Sequence, residues 1–173
     1  MNKTDLARQA IAGDEDSFTL LIQEKRESIY RMAYTYVRNK EDALEIVQET
    51  VYRAFISIHK LKQPQYFSTW LTKIAVNCSL DYIRKSKKVV YLDKEHEGSY
   101  TQAGREEALD LYEALDRLDE KTKTVIMLRY FEDIPLKEIA EVMDAPLSSV
   151  KSILYRGLQK LKLNLGESEY DGE

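Results

Sequence analysis

The chain has 173 residues and a net charge of −4, enough length for one or two small domains with real cores and a poor balance for a protein that holds DNA unaided. Cys78 is the single cysteine, which excludes an intrachain disulfide and a cysteine-rich zinc site, and His59 and His96 lack ligand spacing, so neither metal nor cofactor is expected. No signal peptide opens the sequence and no apolar run approaches a membrane span, so a cytoplasmic protein is expected.

Six glycines, three prolines and regular apolar periodicity predict an all-α chain. A first long helix spans 14–37, with Phe18, Leu21, Ile22, Ile29, Met32, Ala33 and Tyr36 inside. Asn39 to Asp42 turns a corner into a second helix reaching about Ile58, with its stripe at Leu44, Val47, Val51, Phe55 and Ile58. A loop, His59–Tyr66 with Pro64, leads to a third helix from about Ser68 that buries Trp70, Leu71, Ile74, Ala75, Cys78 and Tyr82. These three helices form a bundle over 1–88. Residues 89–105 lose periodicity and read as a flexible linker.

A four-helix unit follows over 106–165, with Ala108, Leu111, Leu115, Leu118, Val125, Ile126, Leu128 and Tyr130 on its first two helices. Its last two form a helix-turn-helix: Leu136, Ile139, Ala140 and Met143 line the first, and Asp144-Ala-Pro146 breaks it. Ser148 or Ser149 is expected to cap the second, whose stripe is Val150, Leu154, Leu158, Leu161 and Leu165. The tail 166–173 is acidic and expected to be disordered. The fold class is thus two small helical domains joined by a flexible linker.

Charge is unevenly distributed. Arg84, Lys85, Lys87 and Lys88 end the first domain as a basic cluster; residues 89–120 hold 10 acidic against 3 basic side chains, and 121–165 hold 8 basic against 5 acidic. The net value therefore hides two positive patches around an acidic connector.

Three surfaces stand out. On the second helix Asp42, Glu45, Glu49 and Arg53 share a face beside Gln48, which fits either a solvated face or an acidic docking surface. On the third, Lys73, Asn77, Arg84 and Lys88 fall along one side, suited to phosphates and base edges, after a loop that mixes Lys60, Lys62, Gln63 and Gln65 with aromatics. In the helix-turn-helix, residues 145–165 contain no acid, and Ser149, Ile153, Arg156 and Lys160 share a face beside Ser148, Lys151 and Ser152. No catalytic constellation or small-molecule site emerges, so an enzyme is not expected.

Four motifs in order carry a resemblance. Asp42-Ala-Leu-Glu-Ile-Val-Gln-Glu-Thr-Val-Tyr-Arg-Ala-Phe55, Phe67-Ser-Thr-Trp-Leu-Thr-Lys-Ile-Ala-Val-Asn77, Asp81-Tyr-Ile-Arg-Lys85, and Ile139-Ala-Glu through Ser149-Val-Lys-Ser152 resemble the extracytoplasmic-function (ECF) sigma factors of bacterial RNA polymerase. The resemblance implies that Asp42, Glu45, Gln48, Glu49 and Arg53 dock on the β′ clamp helices of core polymerase. It assigns the loop with Lys60, Lys62, Gln63 and Gln65 to capture of a flipped −10 base, and Lys73, Asn77, Arg84, Lys85, Lys87 and Lys88 to −10 DNA. It gives Ser148, Ser149, Lys151, Ser152, Ile153, Arg156 and Lys160 to the −35 element, with the polymerase β flap and a membrane-bound anti-sigma factor as further partners in a stress-responsive regulon. The chain departs from the family pattern at Asp144, where glycine is usual, at Ser148-Ser149 for Gly-Thr, and at Ile153 for arginine. A stand-alone helix-turn-helix regulator would match the second domain equally well, but needs neither the Asp42–Arg53 face nor the Phe67–Asn77 motif.

Overall fold

The computed structural model describes the backbone of residues 1–90 and 106–170, and the side chains of 1–86 and 110–165. The chain forms two compact units, Met1–Leu92 and Asp93–Glu173. All regular secondary structure among the described residues is helical, with no strand among them.

Unit 1 opens with a helix that the periodicity did not predict, α1 (Lys3–Ile11), capped by the Asn2 side chain, which accepts from the Asp5 N–H at 2.8 Å. Gly13, at φ 108°, supplies the positive φ that reverses the chain. Asp14 then caps α2 (Glu15–Val37), accepting from the Ser17 N–H at 2.9 Å, and Ser17, through its side chain first and its N–H second, holds the Asp14 carboxyl below its usual range. Arg38 ends α2 in the left-handed region and Asn39 immediately caps α3 (Lys40–Ser57), so the corner needs only two residues. Two 3₁₀ turns, Ile58–Lys60 and Pro64–Tyr66, form the predicted loop before α4 (Phe67–Val90).

The whole predicted stripe of α2 is buried. The α3 stripe is rotated from the predicted one: Ala43, Ile46, Val47, Thr50, Ala54 and Ile58 are buried, whereas Leu44 and Phe55 are exposed. Ala43 and Ala54, both 0% exposed, let α3 approach its neighbours closely, and such small contact residues are invisible to a search for large hydrophobes. On α4 the core is Phe67, Leu71, Ala75, Val76, Cys78 and Ser79, while Trp70, Ile74 and Tyr82 are half-buried.

Unit 2 comprises α5 (Glu106–Asp116), α6 (Glu120–Ile126), α7 (Leu136–Val142) and α8 (Leu147–Tyr170). Asp119 caps α6 by accepting from the Thr122 N–H at 3.2 Å. The helix then widens into a π turn over Met127–Phe131, closed by the Glu132 N–H on the Met127 carbonyl at 3.2 Å. Leu115, Val125, Met127, Leu128, Ile139 and Val150 form the centre of the core, and Lys123 is buried against Asp116 at 2.7 Å. Tyr130, expected inside, is exposed, and the Ala108 side chain lies outside the described residues.

The helix-turn-helix corner is a Schellman motif. Asp144 sits at φ 50°, the Ala145 N–H donates to the Ala140 carbonyl at 3.0 Å, and the Asp144 N–H donates to Glu141 at 3.3 Å. Aspartate tolerates this left-handed position better than most residues, which accounts for its standing where the family pattern has glycine. Neither serine caps α8: the Pro146 carbonyl accepts the Ser149 and Val150 N–H groups at 3.0 and 3.1 Å, placing Ser148 and Ser149 inside the first turn. The helix continues to Tyr170, into the stretch 166–173 expected to be disordered, and 171–173 lie outside the described residues, as do 91–105 of the expected linker.

Gly157 marks a close contact within unit 2. A Cβ there would collide with the Thr122 methyl and stand 3.0 Å from Ile126 Cδ1, so α8 meets α6 through bare backbone. We expect Gly157→Val to destabilise unit 2 by about 1–3 kcal/mol, because overpacking outweighs the few tenths gained in helix propensity. Thermal unfolding followed by far-ultraviolet dichroism should show an earlier unit 2 transition. Fluorescence of Trp70, the sole tryptophan, should keep its midpoint because it reports on unit 1.

Candidate polymerase and nucleic-acid interfaces

Five residues of α3 were expected to share one docking surface, and the structure divides them. Glu45, Gln48 and Glu49 are exposed, whereas Asp42 and Arg53 are half-buried and face α4. The Tyr82 hydroxyl donates to Asp42 Oδ1 at 2.6 Å and lies 3.4 Å from Glu45 Oε2. Burial, then the bond to the Asp42 carboxylate, pushes the Tyr82 hydroxyl well above the usual phenol range. Arg53 Nε donates to Glu49 Oε1 at 2.8 Å and Nη1 to Asp81 Oδ2 at 3.0 Å, so two carboxylates hold its positive charge. Asp42 and Arg53 therefore act first as ties between α3 and α4.

The outward face of α3 also carries apolar surface that the charge pattern concealed. Leu44, Tyr52, Phe55 and Ile56 are 38%, 60%, 46% and 50% exposed, interleaved with Glu45, Gln48 and Glu49. The Phe55 ring is anchored edge-on against Phe18 at 5.4 Å. The sequence held a signal for them: once Ala43, Ile46, Val47, Thr50 and Ala54 account for the core, these four have no internal face to fill. Large apolar residues ringed by acids make a protein-binding surface.

The loop before α4 has two sides. Ile58 and Phe67 are buried and Leu61 and Pro64 half-buried, a spacing of three that matches the 3₁₀ period. His59, Lys60, Lys62, Gln63, Gln65 and Tyr66 are exposed, and Gln65 Nε2 donates to Gln63 Oε1 at 3.2 Å. Its outer side thus offers cations, amides and the Tyr66 ring. Phe67, 4% exposed, is core, with its ring 5.8 Å from that of Trp70.

Along α4, Asn77, Arg84 and Lys85 are exposed and Lys73 half-buried. Trp70, expected inside, is half-buried three residues before Lys73 and seven before Asn77, which puts it on the same flank as this strip. Asp81 lies 3.9 Å from Arg84 and 3.0 Å from Arg53, so it borders the strip. The Lys87 and Lys88 side chains lie outside the described residues.

On α8, Ser148, Ser149, Lys151, Ser152, Arg156 and Lys160 are exposed, as predicted, and Ile153 is half-buried at the edge of the polar face. Arg156 Nε donates to the Ser152 carbonyl at 3.3 Å, and the hydrogen bonds from Thr122, with a smaller contribution from the positive Lys160, hold the Asp119 carboxyl low. Tyr155, overlooked in the sequence, is 63% exposed within a turn of Lys151, Ser152 and Gln159 and two turns from Ser148. A helix face of hydroxyls, cations and one aromatic ring can bind phosphates and base edges. No group of three or more potential metal ligands occurs among the described residues.

Comparison with known proteins places these faces in a context. The models of sigma-70 region 2 and sigma-70 region 4 match residues 21–89 and 114–163. The RNA polymerase sigma factor SigV of Bacillus subtilis is 38% identical over 151 residues, which cover 86% of this chain and 90% of that protein. The ECF RNA polymerase sigma factor SigW of the same species is 31% identical, covering 91% and 94%. Among solved structures, CnrH in complex with the cytosolic domain of CnrY has the same fold, with a TM-score of 0.78 at 23% identity, covering 95% of this chain and 97% of that one.

The division of the α3 face predicts two classes of variant. Asp42→Ala and Tyr82→Phe should each destabilise unit 1 by about 1–2 kcal/mol, since each breaks a charge-assisted, half-buried bond. Glu49→Gln should change stability by less than about 0.5 kcal/mol, as its pair with Arg53 lies at the surface. Urea unfolding followed through Trp70 measures both; equal effects of all three would place Asp42 on the open surface.

Proposed function

The chain belongs to the extracytoplasmic-function sigma factors of the sigma-70 family, and on that premise we propose how its two units divide the work. As a sigma factor it binds core RNA polymerase and directs promoter-specific initiation. The observation that carries the proposal is that unit 1 turns two opposed chemistries outward: acids and apolar residues on α3, amides and cations on the loop and α4.

The polymerase surface is Glu45, Gln48 and Glu49 around Leu44, Tyr52, Phe55 and Ile56, and its partner is the β′ clamp helices. Acids steer and register a basic partner, while the apolar residues provide desolvated contact. The −10 surface is the outer side of the loop with Lys73, Asn77, Arg84 and Lys85, continued in sequence by Lys87 and Lys88. There an unstacked base of the melted strand stacks on Tyr66 or Trp70 and meets Gln63 and Gln65, while the cations hold the backbone. The −35 surface is α8, with Ser148, Ser149, Lys151, Ser152, Tyr155, Arg156 and Lys160 in the major groove and Ile153 at its margin. Because polymerase supplies much of the DNA affinity, a chain with net charge −4 can serve this role.

The reading extends to regulation and place. A membrane-bound anti-sigma factor covers the protein until a stress signal releases it, and it acts in the cytoplasm with polymerase. Its contribution is recognition and positioning, with no chemistry of its own. The linker 89–105, with three acids against two basic residues, passes along the RNA-exit path, and unit 2 reaches the β flap.

Transcription with purified core on a genomic fragment library tests this reading. The wild-type chain should give discrete start sites. Glu49→Arg should weaken core binding by roughly tenfold or more, since opposed like charges cost several kcal/mol. The Lys151→Ala, Arg156→Ala double variant should bind core normally yet occupy promoters less, with a shallower salt dependence by about one for each lost phosphate contact. Absence of discrete start sites with wild-type chain and active core would contradict the proposal.

A further inference from the structure

Helix α1 precedes the stretch 21–89 matched by the region 2 family model, and none of the surfaces above includes it. Yet it packs where one of them is built. Besides α2, it lies against both 3₁₀ turns of the loop, Ile58–Lys60 and Pro64–Tyr66. The other main packing partners of these turns are the helices adjoining each in sequence, α3 for the first and α4 for the second. The main support that the loop receives from outside its own neighbourhood is therefore α1.

The contact is close and tethered. Ala7 and Ala10 are 0% and 3% exposed, so α1 is seated through methyl groups, while Leu6 and Ile11 are half-buried beside them. A nine-residue helix is marginal alone in water, so α1 owes its order to this docking. Two side-chain links fasten it to α2: the Ser17 hydroxyl donates to Gln9 Oε1 at 2.8 Å, and Lys3 pairs with Glu24. The loop needs such a support. Short 3₁₀ turns have poor internal hydrogen-bond geometry, and the backbone bonds closing these two are the Leu61 N–H on Ile58 and the Tyr66 N–H on Gln63. The apolar side of the loop, Ile58, Leu61, Pro64 and Phe67, must stay seated for Lys62, Gln63, Gln65 and Tyr66 to keep one arrangement outside.

We infer that α1 is a positioning element for the 58–66 loop and sets how sharply that loop discriminates among −10 bases. This rests on the loop's role in −10 capture proposed above. A reading edge left loose accepts several bases through alternative side-chain placements, whereas a fixed one leaves wrong bases with unpaired groups. Core binding, on α3, does not depend on it.

The test uses the full chain with core polymerase and a pool of fork-junction DNA whose single-stranded −10 segment is randomised, reading the sequences retained. Ala10→Leu, which forces α1 outward, should flatten the enrichment of the preferred sequence by roughly tenfold while core affinity stays within about twofold. Ala10→Ser, nearly the same size, should restore wild-type enrichment, and Gln9→Ala should flatten it to a smaller degree. A merely structural defect would lower the yield of complexes and leave the enriched sequence and its ratio unchanged. If Ala10→Leu prevents core binding, Gln9→Ala decides the matter, and wild-type enrichment in that variant overturns the inference. The Gln63→Ala, Gln65→Ala loop variant separates the two readings. Flattening by the loop variant with none by the α1 variants overturns the role of α1 alone; unchanged enrichment in all of them overturns the loop assignment and the inference together.

Discussion

The crossing of α3 and α4 is the constraint on which unit 1 depends. Two charge-assisted ties hold it, Tyr82 to Asp42 near the start of α3 and Arg53 to Asp81 near its end. Each contributes on the order of 1 kcal/mol, less than the buried apolar surface around Ile46, Ala43 and Cys78, but the ties are directional where apolar burial is not. They fix the rotation of one helix against the other. That rotation decides which residues of α3 face outward and where the strip of α4 points. With Ala43 and Ala54 in the contact, α3 leaves Leu44, Tyr52, Phe55 and Ile56 exposed on its outer side.

Unit 2 meets the same need with backbone. The left-handed Asp144 turns the chain sharply after α7, and Gly157 lets α8 sit directly on α6. Both devices leave the side chains of α8 free of structural duty on one side, and that side carries hydroxyls, cations and Tyr155. The exposed side of this acid-free helix segment is then locally positive, whatever the net charge of the chain.

Much of this was legible in the sequence, for reasons visible residue by residue. The α2 stripe was read correctly because it is built from Phe18, Leu21, Ile22, Ile29, Met32 and Tyr36, large residues at a clean 3.6 period. The α3 stripe was misread because alanine and threonine form its contact, and Leu44 and Phe55 mimicked a core position. Helix α1 escaped because its buried residues are two alanines. Its Asn2 cap was present as a signal. Charge patterns located the three candidate surfaces, yet spacing alone could not show that Asp42 and Arg53 are tied inward to Tyr82 and Asp81, since their partners lie 40 and 28 residues away. The serines of α8 looked like caps because serine is favoured there, but the helix starts at Leu147, and the Pro146 carbonyl accepts from Ser149 and Val150, so both serines already lie in its first turn.

The central claim is that α3 and α4 present opposite chemistries to different partners, and site-directed photocrosslinking tests it most directly. A benzophenone amino acid placed at Tyr52 on α3, or at Asn77 on α4, probes each face within an initiation complex assembled on promoter DNA. The account predicts that the Tyr52 probe crosslinks to the β′ subunit and the Asn77 probe to the melted strand around −10. Crosslinks from Tyr52 to DNA, or from Asn77 to β′, would contradict it.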